Sequence, residues 1–207
     1  MKKGKFITLE GGEGVGKTTN LGFIEEMLAS QGITVIKTRE PGGTPLAEKI
    51  RQLLLDETQE QVDPIAELLM MFAARAQHIL HVIRPALERG DWVLCDRFTD
   101  ATYAYQGGGR GIDFDKIAWL ENLVQGEIRP DLTILLDADF EVGMKRARQR
   151  GKLDRFEQEQ REFFEKIRQA YLQLAQQQPR RFAVIDASQD LASIQQQIQQ
   201  QINSLLA

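Results

Sequence analysis

Residues 11–18 read Gly-Gly-Glu-Gly-Val-Gly-Lys-Thr and satisfy G-x-x-x-x-G-K-[ST] at every fixed position. In such a loop Gly11, Gly12, Glu13, Gly14, Val15 and Gly16 curl so that successive N–H groups converge on a phosphate. The positive end of the following helix reinforces the attraction. Lys17 is placed to reach the β- and γ-phosphates, the Thr18 hydroxyl to ligate Mg²⁺, and Thr19 to begin the helix beside them. A glycine-rich strand-to-helix turn that binds nothing is the plain alternative. The flanks decide against it: Phe6-Ile7-Thr8-Leu9 is a short apolar run, and Leu21, Ile24, Met27 and Leu28 recur at helical spacing. The chemistry implied is binding of a nucleoside triphosphate.

Two further segments carry reactive types. Asp96-Arg97-Phe98 follows an apolar run, and an aspartate at a strand end can hold Mg²⁺ or support catalysis electrostatically. Arg97 beside it can grip a second phosphate in bidentate fashion. Alone the pair would be an ordinary solvated ion pair, but Thr102, Tyr105 and Gln106 follow at helical spacing and would read a nucleoside. Farther on, Lys145, Arg146, Arg148, Arg150, Lys152 and Arg155 crowd a stretch broken by Gly151. Such a run is usually a solvated helix face. In a phosphotransferase it would close over the reacting phosphates.

These residues need a scaffold. Strand-like runs fall near 5–10, 33–38, 91–96, 132–138 and 182–186. Helical patterns fall near 18–30, 44–55, 63–88, 114–125, 139–150, 157–177 and 190–206. Alternation of this kind predicts an α/β fold with a mostly parallel five-stranded sheet covered on both faces, and ligands at the carboxyl ends of its strands. The 207 residues, without a composition break, suit one domain. The glutamine-rich end carries Ile194, Ile198, Ile202 and Leu205 as a helical stripe, and a docked surface helix is expected there. A net charge of −4 argues against a nucleic-acid polymer or an anionic membrane as partner. A lone Cys95 within an apolar strand is expected to be buried and inert, and no apolar leader or spanning run is visible. The expected location is the cytoplasm.

The chain resembles the bacterial thymidylate kinases nearly end to end. The likeness rests on residues 11–18 with the acidic Glu13, on Thr38-Arg39-Glu40-Pro41-Gly42-Gly43-Thr44 and on Phe72-Ala73-Ala74-Arg75. It continues through Asp96-Arg97-Phe98, Tyr105-Gln106-Gly107-Gly108-Gly109-Arg110-Gly111, Arg129-Pro130-Asp131 and Leu153-Asp154-Arg155. The first motif is shared by many unrelated nucleotide hydrolases; the second and fifth are far more specific. The resemblance implies transfer from Mg·ATP to dTMP, giving dTDP on the way to dTTP. It also implies the three-layer P-loop nucleoside monophosphate kinase fold with a short basic lid near 146–157, and a homodimer.

Residue by residue, the resemblance implies that Glu13 bonds the 3′-OH of dTMP and that Arg97 holds its phosphate, with Asp96 near Mg²⁺. Arg75 would donate to a thymine carbonyl, and Thr102 and Gln106 would contact the base. Tyr105 would lie where a ribose 2′-OH projects, and Arg39 would line the same pocket. Family members often place a thymine-stacking Phe four residues before the base-reading arginine; here that position is Met71, and Phe72 lies three before. Phe72 would stack, or Met71 would contact the base through sulfur, or Phe72 would belong to the core. Gly14 and Val15 stand where some eukaryotic relatives carry a loop arginine, so the catalytic arginine is expected in the lid, by position Arg150. Arg146 and the turn after Ile185-Asp186-Ala187 are the adenine-side candidates. The competing readings are a kinase for another nucleoside or monophosphate, and a nucleotide-gated binding protein without transfer.

Overall fold

The computed structural model describes residues 4–56, 62–150 and 155–206, the side chains of 148–150 excepted. The elements run β1 (Phe6–Glu10), α1 (Lys17–Ser30), β2 (Val35–Arg39), α2 (Pro45–Leu55), α3 (Pro64–His78), α4 (Arg84–Arg89), β3 (Trp92–Asp96) and α5 (Thr99–Thr102). They continue with α6 (Phe114–Gln125), β4 (Leu132–Asp137), α7 (Phe140–Arg150), α8 (Arg161–Gln177), β5 (Phe182–Asp186) and α9 (Leu191–Leu206). Five strands form one parallel sheet in the order β2-β3-β1-β4-β5, with Phe6 opposite Val93 and Ile7 opposite Leu132. Parallel strands covered on both faces need apolar residues throughout instead of alternation. β1 is accordingly buried at every position.

One face of the sheet packs Ile7, Leu9 and Ile134 against Ile24 and Leu28 of α1 and Ile194, Ile198 and Ile202 of α9. Full burial of each such side chain is worth about 1.5–3 kcal/mol, which is why the glutamine-rich end is a docked helix as expected. On the other face Phe6, Val93 and Cys95 meet Ile79 and Ile83, while Leu135 meets Phe164, Ile167 and Tyr171 of α8. Cys95 is fully buried, and burial pushes its thiol well above the ordinary range. The chain crosses from β1 toward β3 on one side and β4 on the other, so the crevice opens at the carboxyl end of β1.

Three expectations shift. The helix predicted over 63–88 is α3 and α4 with a π-helical turn, Ile79–Ile83, between them. Pro85 in the first turn of α4 has no N–H for the normal bond one turn back, and Arg84 bonds to Ile79 O instead. The segment after β3, which lies outside the helical patterns expected from the sequence, is helical: α5 runs into a π-helical stretch, Tyr103–Gly109. Its three glycines permit close packing, since a Cβ on Gly107, Gly108 or Gly109 would fall 2.4–2.7 Å from Phe114, Ala170 or Phe163. Finally, α8 begins at Arg161, four residues later than expected. Among the described residues no helix is long and apolar enough to cross a membrane.

Candidate active site

A cavity of about 560 Å³ opens at the carboxyl ends of β1, β2 and β3, and residues from five sequence motifs line it. The loop after β1 forms one wall. Gly11, Gly14 and Gly16 take φ of 135°, 68° and 92°, values that disfavour any side chain. A Cβ on Gly14 would stand 1.9 Å from Gly143 O, and one on Gly143 would stand 2.4 Å from Glu13 O. The phosphate loop therefore rests directly on the first turns of α7, the helix that carries the basic run. Lys17 Nζ donates to Gly12 O at 2.8 Å and to Gly11 O at 3.3 Å. Burial and the neighbouring Arg97 charge push its ammonium pKa down, while Glu13, Asp96 and Glu10 oppose that. Gly16 O is tied to Asn20 Nδ2 at 3.0 Å, which fixes the end of the loop.

Arg97 is the one non-glycine among the described residues with positive φ, 66°. Such a conformation persists only where its surroundings hold it. Its N–H donates to Leu9 O, the next N–H (Phe98) donates to Glu10 Oε1 at 2.7 Å, and the Cys95 thiol lies 3.0 Å from Arg97 O. The guanidinium is fixed too: it donates to Gly11 O at 2.7 Å, to Glu13 Oε1 at 2.6 Å and to the Tyr171 hydroxyl at 3.2 Å. Tyr171 in turn donates to Glu10 Oε2 at 2.7 Å. The Glu10 carboxyl is pushed up to about 8 by burial and then by Asp100, with Arg97 and the Tyr171 and Phe98 bonds pulling it back. Tyr105 donates to Glu13 Oε1 at 2.7 Å, and the Arg97 guanidinium lies 4.8 Å from its ring centre. Glu13, Arg97 and Tyr105 are thus one interlocked group.

Across the cavity, Arg75 on α3 is 2% exposed. It donates through Nε to Glu40 Oε2 at 2.7 Å and through Nη2 to Thr102 Oγ1 at 2.9 Å. Glu40 also accepts from His78 Nδ1 at 2.9 Å. Burial alone would raise the Glu40 carboxyl; Arg75 and His78 hold it below its usual range. Gln106, fully buried, donates through Nε2 to Glu67 Oε1 at 2.9 Å. Four buried side-chain atoms lack a partner among the described residues: Asn20 Oδ1, Arg75 Nη1, Asp96 Oδ1 and Gln106 Oε1. Three of the four belong to residues lining this cavity. An unmet buried polar group costs about 1–3 kcal/mol, so each of these atoms is one that a partner would satisfy. The spare groups are a donor on Arg75 and acceptors on Gln106 and Asp96.

Lys17, Thr18, Thr19, Glu13, Arg39, Arg75, Asp96, Arg97, Thr102, Tyr105, Gln106 and Arg146 all line the cavity. Phe72 does not. It is 2% exposed and packs with Leu68, Ile112 and Ile117, while Met71, the preceding residue, takes its place in the wall. On a helix the two point about 100° apart, and the core-facing stripe of α3 claims Phe72. Its ring instead backs Arg75, whose guanidinium carbon lies 4.8 Å from the ring centre. Arg39 is half exposed, bonded to Glu48 at 2.7 Å. Arg146 Nη1 donates to Ala187 O at 2.9 Å, joining the two adenine-side candidates. The side chains of Arg148 and Arg150, and Lys152 altogether, lie outside the described residues.

Sequence reasoning missed Glu10, Glu67, Arg51 and Tyr171. Arg51 lines the cavity and donates to Pro41 O at 3.0 Å. Glu40 was visible inside the Arg-Glu-Pro-Gly-Gly motif. Glu10 and Tyr171 are 161 positions apart, and no local pattern announces their bond.

A family profile described as thymidylate kinase matches residues 9–198. A thymidylate kinase of Ectopseudomonas mendocina is 61% identical over 203 residues, covering 98% of this chain and 97% of the relative. One from Pseudomonas entomophila is 62% identical over 195 residues, 94% of this chain and 93% of the relative. The crystal structure of the thymidylate kinase from Ehrlichia chaffeensis superposes with a TM-score of 0.80 at 34% identity, covering 97% of this chain and 99% of that one.

Proposed function

The chain belongs to the thymidylate kinase family and phosphorylates dTMP to dTDP with ATP; from that premise we propose how its residues divide the reaction. One observation carries the assignment of the acceptor base. Arg75 offers an unmet donor and Gln106 an unmet acceptor in the same cavity. Thymine presents the complement, a carbonyl oxygen next to an N–H. Cytosine presents an amino group next to a bare nitrogen, which reverses both partners. Met71 supplies the apolar, polarisable contact on the base that an aromatic ring supplies elsewhere.

The dTMP phosphate is held by Arg97, whose unusual backbone aims the guanidinium at the loop. The 3′-OH donates to Glu13, and the Tyr105 hydroxyl bonded to that carboxylate fills the space a 2′-OH would need. Arg39 lines the same pocket near the acceptor. Gly11 to Thr19 cradle the ATP phosphates, Lys17 exchanging its loop carbonyls for the phosphoryl oxygens. Arg146 and the Ala187 turn lie on the adenine side.

The residues present suit a magnesium ion: Asp96 carries a buried, unmet carboxylate oxygen, and Thr18 adds a second hard oxygen in the same wall. Among the described residues no group of three or more His, Cys, Asp or Glu could hold a metal alone, so nucleotide phosphates would complete its shell. When bound, the ion neutralises phosphate charge. Arg150 supplies the late contact to the transferring phosphoryl from a lid spanning about 146–157. We read residues 1–207 as one kinase domain, working in the cytoplasm as a homodimer.

ADP release with equal concentrations of dTMP, dCMP and UMP tests the acceptor reading. Specificity for dTMP over dCMP of about a hundredfold or more is expected, since a site built to hydrogen-bond one group rejects its mismatch strongly. Comparable specificity constants would overturn it.

A further inference from the structure

Glu67 lies in the first turn of α3 with its side chain 1% exposed, and the reaction outlined above gives it no part. Its Oε1 accepts from Gln106 Nε2 at 2.9 Å, and its Oε2 accepts from Arg155 Nη2 at 2.6 Å. Arg110 approaches both oxygens at 3.4 and 3.5 Å while pairing with Glu159 at 2.6 Å. Two guanidiniums therefore face this buried carboxylate, the arrangement a buried charge requires.

A glutamine amide has the same outline either way round, and only its neighbours decide which end points where. A carboxylate accepts and cannot donate. Rotating the Gln106 amide would set its oxygen against the Glu67 oxygen, two acceptors face to face in a buried site. The Nε2 end must therefore stay on Glu67, and Oε1 is left as the unpartnered atom of a residue that lines the cavity. We infer that Glu67 is a positioning residue for base choice: it locks Gln106 with its acceptor toward the base and so admits an N–H donor while excluding a bare ring nitrogen. The inference rests on the reading of Arg75 and Gln106 as the groups that face the base. It adds that the selectivity of Gln106 is imposed by a residue that does not touch the nucleotide.

Glu67→Gln tests this. The new amide can donate as well as accept, so Gln106 is satisfied in either orientation and can present Nε2 to the N3 nitrogen of cytosine. The ratio of kcat/KM for dTMP to that for dCMP should fall about tenfold or more, chiefly through a gain for dCMP, while Arg75 keeps its own share of the preference. In a Gln106→Leu background the same substitution should leave the ratio where it was, because the lever it acts through is gone. A merely structural role lowers both substrates together; an unchanged ratio at lowered activity overturns the inference. Should Glu67→Gln not fold, Glu67→Asp keeps the charge between the arginines but withdraws the carboxylate from Nε2, and the ratio should fall there too. Wild-type enzyme that fails to prefer dTMP removes the base reading itself, a result distinct from a wild-type preference that Glu67→Gln leaves intact.

Discussion

Lys17 holds its ammonium against two carbonyls of its own loop, half-buried but outside the apolar core. Lys17→Ala should therefore leave circular dichroism unchanged while abolishing transfer, because it removes a charge without opening a cavity. Turnover above about a tenth of wild type would contradict its role, since one well-placed charge is typically worth a factor of about a hundred or more. Glu10 makes the opposite kind of prediction. Its carboxyl sits at about 8 in the fold against 4.5 in an unfolded chain, for the reason of burial first and Asp100 second. The native state then binds more protons across that interval, so this group's contribution to stability is lost as pH rises from 4.5 toward 8. Glu10→Gln does not titrate, and urea unfolding should show the variant gaining on wild type as pH is raised from about 5 to about 8.5. A difference that is flat with pH would place the Glu10 proton elsewhere. Neither Glu10 nor Tyr171 was legible in the sequence, because their roles arise from a bond across 161 positions.

At the scale of elements, the loop after β1 and α7 pack backbone to backbone at Gly14 and Gly143. If Arg150 acts on the transferring phosphoryl as proposed, its contact should strengthen as charge spreads onto the equatorial oxygens. Arg150→Ala should lower kcat about a hundredfold or more with much smaller changes in the Kd of ATP and dTMP, and Arg150→Lys should recover little. A variant that mainly weakens ATP binding would make Arg150 a ground-state clamp. The elements themselves were largely legible: β1, β3 and β5 fall within a residue or two of their apolar runs. What escaped was helical structure with unusual punctuation. Pro85 breaks the ladder after α3, and Gly107-Gly108-Gly109 looks like a loop while serving as a flat face for α8. Phe72 was misplaced for a related reason. Counting back from Arg75 left two candidates on neighbouring faces, and only the packing of α3 on Ile112 and Ile117 decided between them.

For the whole molecule, the strand order brings residues from separate motifs to one crevice: the loop after β1, Arg39 at the end of β2, Asp96 at the end of β3 and Arg97 just beyond it. α3, α5 and the π-helical stretch that follows it then close its far side with Arg75, Thr102 and Gln106. Motif residues were legible one by one, because phosphate chemistry constrains their types. The buried acids that orient them, Glu10, Glu40 and Glu67, show their roles only once the chain is folded. We propose that the two unpartnered atoms, Arg75 Nη1 and Gln106 Oε1, face the acceptor base. Calorimetric binding of dTMP and of its N3-methyl derivative tests it most directly, since the methyl group removes the one N–H that Gln106 Oε1 is free to accept. Methylation should weaken binding by at least about tenfold to a hundredfold, the cost of an unmet buried acceptor, before any clash is counted. Equal affinity for the two nucleotides would contradict it.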